Sequence, residues 1–298
     1  MTADGDPTRA RGLLAAADWR TPATRRGWRA VHVLLFAFLV LAGLAPLLWT
    51  FKAAVSSSAD LLADPLSLWP RQARWANLSD AWTKLEIGHY LGNTVVLVAG
   101  SWLVQLVVAT TAGFALSVVR PWYGRYVYGA FLTTLFVPGT VTLVALYLTI
   151  LDLPGLNVSI ANTPLAVWLP AGAHAFNILL AKQFFDAIPR ELFEAARVDG
   201  AGSWTVFRRI VLPMSAPILA VISLFAVMSA WKDFLWPMIA ITDPQAQPLA
   251  VALPRLAQAA EPALLVAGLL IATIPPLLIF LIFQRYVVRG IGFTGLKG

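Results

Sequence analysis

The chain has 298 residues, of which 59% are hydrophobic and 12% charged, with a formal net charge of +7. A soluble domain carries roughly 25% charged residues, so this composition, gathered in apolar runs of about 20 residues, excludes a large soluble core and points to membrane spans. The absence of cysteine excludes disulfides, thiolate metal sites and cysteine nucleophiles. The three histidines, His32, His89 and His174, form no H-x-x-x-H pair, so a metal site is not expected. In a membrane chain the placement of Lys and Arg matters more than their sum, so the basic excess reads as a topology signal and not as nucleic-acid binding.

Residues 1–29 are polar and Arg-rich, without apolar periodicity, and are expected to form a disordered cytoplasmic tail. The first apolar run, about 31–51, is longer than a signal-peptide core and is followed by further spans, so it reads as an uncleaved helix. Residues 52–89 are mixed, with Pro65, Pro70, Trp69, Trp75 and Trp82. These tryptophans suit either a membrane–water boundary or the small core of an external loop.

Asn93 is a good N-cap for a second span from Thr94 to about Val118. A short turn with Arg120 and Arg125 leads to a third span, about 126–150, which Pro138-Gly139 should weaken or kink. Pro154-Gly155 and Asn157 mark a turn-rich connection before a fourth span at about 164–184. A fifth span is expected at about 216–238 and a sixth at about 263–284. The basic residues Arg285, Arg289 and Lys297 close the chain.

Alternating six spans from an inside N-terminus places sixteen Lys/Arg in the segments before 30, at 118–125, at 182–209 and after 284. The other side receives Lys52, Arg71, Arg74, Lys84 and Arg255, with Lys232 at the edge of a span. This imbalance predicts cytoplasmic termini and a cytoplasmic segment 185–215.

That segment is the long polar interruption of the second half. Ile188-Pro189 should open a short helix running to about Asp199, with Arg190–Glu194 and Glu194–Arg197 as helix-spaced pairs. Ala195 and Ala196 give it a small-residue face on which another surface can lie close. Gly200 is placed to end it in a left-handed turn. Ser203 can cap a second helix, in which Trp204, Phe207, Ile210 and Val211 share a face, Leu212-Pro213 stops it, and Pro217 helps start the next span. By composition alone this describes either a docking loop or a helix pair lying on the membrane.

No G-x-x-x-x-G-K-[ST] phosphate loop, G-x-S-x-G elbow, H-E-x-x-H helix or paired-carboxylate cluster occurs. The chain is therefore not expected to hydrolyse ATP or to be an enzyme.

The order from Glu194 to Pro217, EAARVDGAGSWTVFRRIVLPMSAP, resembles the EAA loop of bacterial ABC-importer permeases without a gap. Carried over position by position, the resemblance implies an ATPase-coupling role for Glu194, Ala195, Ala196, Asp199, Gly200, Phe207, Ile210, Leu212 and Pro213. Three further stretches resemble the carbohydrate branch, nearest to its maltose-type (MalG-like) permeases. These are Val137-Pro138-Gly139-Thr140, the run Ala230 to Pro237 (AWKDFLWP) and the ending RGIGFTGLKG from Arg289. Lys232 departs from the usual Asn, and the ending is about a residue short, with Phe293 and Leu296 at altered places.

The resemblance covers residues 30–298. It implies an all-α, type I ABC-importer permease with six transmembrane helices in a domain 30–288 (core 90–285), a coupling loop 189–213 and a cytoplasmic tail 289–298. The implied partners are a homologous second permease, an ATP-binding subunit dimer, an extracytoplasmic solute-binding lipoprotein and membrane lipid. ATP and Mg belong to the ATPase, and this chain binds no cofactor. The implied location is the bacterial cytoplasmic membrane, and the implied function is carbohydrate import by alternating access. A glycerol-phosphate or polyol importer of the same architecture is the alternative, and an ion-gradient-driven secondary transporter is the rival from another class.

Candidates for the solute pathway are Gln105, Asn177, Trp231, Lys232 and Asp233. Gln105, Asn177, Thr110, Thr111 and His174 serve equally as interhelical hydrogen-bonding groups. Lys232 either snorkels to the interface or favours an anionic solute. By the same resemblance, residues 241–262 engage the binding protein, unless they are a plain Pro-rich connector.

Overall fold

A computed structural model describes residues 22–292, all of whose regular structure is helical. The outer parts of both expected tails, residues 1–21 and 293–298, lie outside the described residues. The first helix, α1 (Pro22–Ala54), starts earlier than expected, so residues 22–29 are helical and not tail. Its flank packs on the last helix, and the apolar residues Leu34, Phe36, Phe38 and Leu41 are exposed, as a lipid-facing helix requires. Its last turn is capped from outside, because the Asn77 amide donates to the carbonyls of Ala54 (3.0 Å) and Ser56 (2.7 Å).

The expected mixed loop holds two short helices, α2 (Ser58–Ala63), capped by Ser57, and α3 (Ala76–Lys84). Trp69, Trp75 and Trp82 are exposed, which suits a membrane boundary and not a loop core.

The central helix α4 (Ile87–Phe114) begins before Asn93, which therefore is not an N-cap. Asn93 instead donates to the carbonyls of Gln245 (2.7 Å) and Gln247 (3.0 Å), holding a distant loop. A π-helical turn, Ala115–Val119, ends the span. The third span is broken, not kinked: α5 (Gly124–Thr134) and α6 (Leu143–Leu151) meet at 106° through a 3-10 turn at Gly139–Thr142. Helix α5 ends at Thr134, four residues before Pro138, which has no N–H to donate and disfavours helical geometry in the residue before it. The following connection is turn-rich as expected, and Gly155 (φ +79°) and Asn157 (φ +51°) take left-handed conformations in it.

The fourth span divides into α7 (Leu165–Ala171) and α8 (Ala175–Asp186), bent by 42° at Gly172–His174. The loop helices α9 (Arg190–Val198), α10 (Ser203–Val206) and α11 (Leu212–Met214) follow, with a π-helical turn, Phe207–Val211, joining the last two. Leu212-Pro213 does not stop the helix. The chain turns by 80° at Ser215 instead, and Pro217 lies in the first turn of α12 (Ala216–Lys232).

Helix α12 has 17 residues, about 25 Å at 1.5 Å per residue, which is short of the ~30 Å apolar thickness of a bilayer. The end of the expected span, beyond a break at Asp233–Phe234, falls in a separate short helix, α13 (Leu235–Ala240). The stretch read as loop or connector contains α14 (Leu249–Leu256), which buries Leu249, Ala252 and Leu253. The last span, α15 (Pro262–Gly292), passes Pro275-Pro276 unbroken and runs into the expected tail.

Among the described residues three helices are long and apolar enough to cross a membrane, and up to six when each bent pair counts as one span, α12 being paired there with Ser203–Met214. The core has three parts, and α4 reaches all of them. One lies at the loop end, among α4, α8 and the loop helices. A second joins α3, α14 and α15 to the start of α4. The third gathers α6, α7 and α13.

Candidate functional site: the helical loop and an interhelical cavity

The loop between α8 and α12 has an anchored face and a bare face. Ala196, Val206, Phe207 and Val211 are buried against Phe114, Phe185 and Ile188 at the ends of α4 and α8. The Phe207 ring packs on Phe114 with centroids 5.0 Å apart, while Ile210 and Leu212 are partly buried against the same cluster. Glu194, Ala195, Asp199, Gly200 and Pro213 are exposed.

Trp204 does not join the apolar face expected of it. It is 68% exposed, stacked at 5.4 Å on the outer side of Phe207. Val198 is 89% exposed. The small-residue face expected of Ala195 and Ala196 is divided: Ala196 packs inward, and only Ala195 is exposed on the outer side with Trp204 and Val198.

The turn in the loop is a Schellman end. Gly200 has φ +74°, the Ala201 N–H donates to the Ala196 carbonyl at 2.9 Å, and the Gly200 N–H donates to the Arg197 carbonyl at 3.0 Å. Ser203 opens the second helix but makes no capping bond, since Gly202 occupies the cap position. Glu194 forms no ion pair with Arg190 or Arg197 among the described residues; those found are Arg71–Asp60, Lys84–Asp80, Arg120–Asp186 and Lys182–Asp186. Exposed helix pairs of that kind are worth only a few tenths of a kcal/mol, about 0.2–0.5, so their absence costs little. It leaves the Glu194 carboxylate without an internal partner.

Just before the loop, Asp186 ties two helices together. It accepts from the Ser117 hydroxyl at 2.7 Å and pairs with Lys182 and Arg120. The ends of α4 and α8 thus meet the loop as one unit.

Towards the opposite end, a cavity of about 200 Å³ lies between α4, the α7–α8 break and the α12–α13 break. Of the pathway candidates, Gln105 and Asp233 line it, and Asn177, Trp231 and Lys232 do not. Asn177 is fully buried and donates to the Gln105 Oε1 at 2.9 Å, while Gln105 Nε2 donates to the Ala171 carbonyl at 3.0 Å. Both are interhelical ties, and Thr110 and Thr111 bond only to carbonyls of their own helix. Lys232 is exposed at the end of α12.

Asp233 accepts from the Trp236 N–H at 3.3 Å across the first turn of α13, so the acidic position of the AWKDFLWP run starts a new helix after the break. Ser101 and His174 also line the cavity. Ser101 was missed in the sequence, although Thr94, Ser101 and Gln105, at steps of 7 and 4, form a polar stripe on one face of an otherwise apolar helix.

Bent and broken apolar helices around a mainly apolar cavity with a few polar groups, joined by one anchored helical loop, describe a multi-pass membrane protein. Residues 105–293 match the family of the binding-protein-dependent transport system inner membrane component, and the chain belongs to that family. Among its relatives, the probable ABC transporter permease protein YurM of Bacillus subtilis is 33% identical, over 92% of this chain and 91% of that one. The diacetylchitobiose uptake system permease protein NgcG of Streptomyces coelicolor is 28% identical, over 87% and 86%. The sn-glycerol-3-phosphate transport system permease protein UgpE of Agrobacterium fabrum is 26% identical, over 87% and 94%. A chain from the crystal structure of a bacterial ABC transporter involved in the import of the acidic polysaccharide alginate superposes with a TM-score of 0.78. It covers 92% of this chain and 99% of that one at 21% identity, which establishes the ABC-importer permease fold. The family is a membrane component of a transport system and not itself catalytic.

Proposed function

We propose that this chain is one permease subunit of an ATP-driven importer that carries a carbohydrate across the cytoplasmic membrane by alternating access. The observation that carries the coupling role is the two-faced loop. Its inner face is fixed to α4 and α8 through Phe207 and Ala196, while Glu194, Ala195, Asp199 and Gly200 are exposed. A push on such a loop moves the bundle as a body. The partners are a homologous second permease, two copies of an ATPase seated on the loop, and an external solute-binding lipoprotein. ATP and Mg bind the ATPase, both termini are cytoplasmic, and no cofactor binds this chain. ATP and the loaded binding protein must both favour the outward-open state for the cycle to couple. The carbohydrate assignment draws on relatives named for diacetylchitobiose, for melibiose, raffinose and stachyose, and for lactose.

The test is a tagged purification from the native host in mild detergent, with co-purifying proteins identified by mass spectrometry. A P-loop ATPase, a second permease and a solute-binding lipoprotein are expected, with a sugar eluting from the lipoprotein. Glycerol phosphate eluting there would replace the solute class. Transport by this chain alone, without ATP, would replace the importer by a secondary transporter. In the assembled complex Glu194→Lys should abolish uptake while the chain still inserts.

A further inference from the structure

We infer that residues 242–248, between α13 and α14, form a strap across the outer end of the cavity, and that the transport cycle requires this strap to lift. The inference rests on the importer reading above and adds a gate to it. The strap is latched to two other parts of the chain by polar bonds. On one side the Asn93 amide donates to the carbonyls of Gln245 (2.7 Å) and Gln247 (3.0 Å), and His89 Nε2 donates to the Gln245 carbonyl at 2.7 Å. On the other side Asn162 Oδ1 accepts from the Thr242 N–H (2.6 Å), the Thr242 hydroxyl (2.9 Å) and the Asp243 N–H (3.1 Å). Where the strap ends, the Leu249 N–H donates to the Thr94 hydroxyl at 2.9 Å.

Thr94 and Pro248 line the cavity, and α4 runs from Thr94 through Ser101 and Gln105 towards the helical loop. Pro248 therefore stops the cavity at the end away from that loop, which is the outer end in the topology that the Lys and Arg placement gives. The segment is not held as a core element is. Ile241 and Leu249 are buried at its two ends, while Thr242, Asp243, Pro244 and Gln245 between them are exposed. Its hold is mainly hydrogen bonds at the surface, which water can replace. Segments with few buried apolar contacts and exposed hydrogen bonds are the ones that open at low cost. Two buried ends thus act as hinges for an exposed, polar middle. A binding protein docking from outside meets Asp243, Pro244 and Gln245 first, and bonds made to it in place of the latch lift the strap and favour the outward-open state.

The chain has no cysteine, so one disulfide can be placed across the latch. The experiment uses the whole complex in proteoliposomes, with its partner permease and ATPase. The probe is the solute-binding protein purified from the native host with the ligand it carries, and the readout is the ATP hydrolysis that it stimulates. Asn162→Cys and Thr242→Cys are combined, and the bond is followed by mass spectrometry of the digested chain. Under oxidant the stimulation should fall at least tenfold, and reductant should restore it, which separates a locked strap from a misfolded one. The wild-type complex should keep its stimulation under the same oxidant. In a second measurement Asn93→Ala, which frees Gln245 and Gln247, should raise hydrolysis without binding protein about two- to tenfold, the equivalent of one hydrogen bond. Bonds that only stabilise the fold would leave that hydrolysis unchanged or lower it. Full stimulation with the disulfide closed, failure of the disulfide to form, or no rise in Asn93→Ala overturns the strap alone. Wild-type hydrolysis that the binding protein does not stimulate overturns the importer reading and the strap with it.

Discussion

The indole N–H of Trp236 donates to the carbonyl oxygen of Ala166 at 3.0 Å, across 70 positions of sequence. In an unbroken helix that carbonyl would receive the N–H of residue 170, which is a proline and has none. One broken span thus supplies the donor that another lacks, and α13 and α7 are locked together where the cavity lies. Trp236→Phe keeps the ring and loses the donor, so it should destabilise the complex by about 1–3 kcal/mol, the cost of a buried acceptor left unpaired. Thermal unfolding of the purified complex reads the loss. In a Pro170→Ala background residue 170 regains its N–H, and the same change should cost less.

The Asn177–Gln105 bond joins α8 to α4 in the core. Hydrogen bonds of this kind between membrane helices average about 0.6 kcal/mol, with a maximum near 1.7. Asn177→Leu and Gln105→Leu should each destabilise, and the double variant should cost less than their sum by roughly that amount. A double-mutant cycle on unfolding of the complex measures it. Additive effects would show that the two amides act independently.

Much of this architecture is legible in the sequence, because lipid imposes apolar runs of fixed length and each carries its own signal. The Gly200 turn is legible for the same reason: a Schellman end is local. Breaks are less so. Pro138 marks a weak point, but whether a helix kinks or breaks by 106° depends on what packs beside it. Asn93 has the chemistry of an N-cap, and only the fold reveals that its amide is taken by the carbonyls of Gln245 and Gln247. The cavity is the least legible part. Its polar atoms come from three separated segments, and the tie between Trp236 and Ala166 has no trace in local spacing.

Close approach of α4 and α8 requires Gly113. A Cβ there would stand 2.9 Å from the Ala181 Cβ and 3.0 Å from the Lys182 backbone nitrogen, neither of which can swing away. Gly113→Ala should therefore force the helices apart and cost about 1–3 kcal/mol, the range for overpacking. Gly92 on the same helix faces open space, and Gly92→Ala should be neutral or gain about 0.5–1 kcal/mol from helix propensity. Unfolding temperatures of the two complexes should move in opposite directions or differ clearly. Equal effects would mean that the α4–α8 spacing is not set at Gly113.

Gly200 separates backbone geometry from surface contact in the loop. No atom lies within 4 Å of a Cβ built there, so space is not the constraint; its φ of +74° is. An L-residue in the left-handed region costs roughly 1–2 kcal/mol, and Asn pays least among them. If the turn acts by holding α9 at a fixed angle to α10, Gly200→Asn should retain most uptake, Gly200→Ala less, and Gly200→Val least. Binding of the ATPase to the loop should fall in the same order. Measuring uptake and ATPase co-purification side by side tests this. Loss in Asn as large as in Val would instead mean that the partner itself closes over Gly200 and tolerates no side chain, making the position a contact and not a hinge angle.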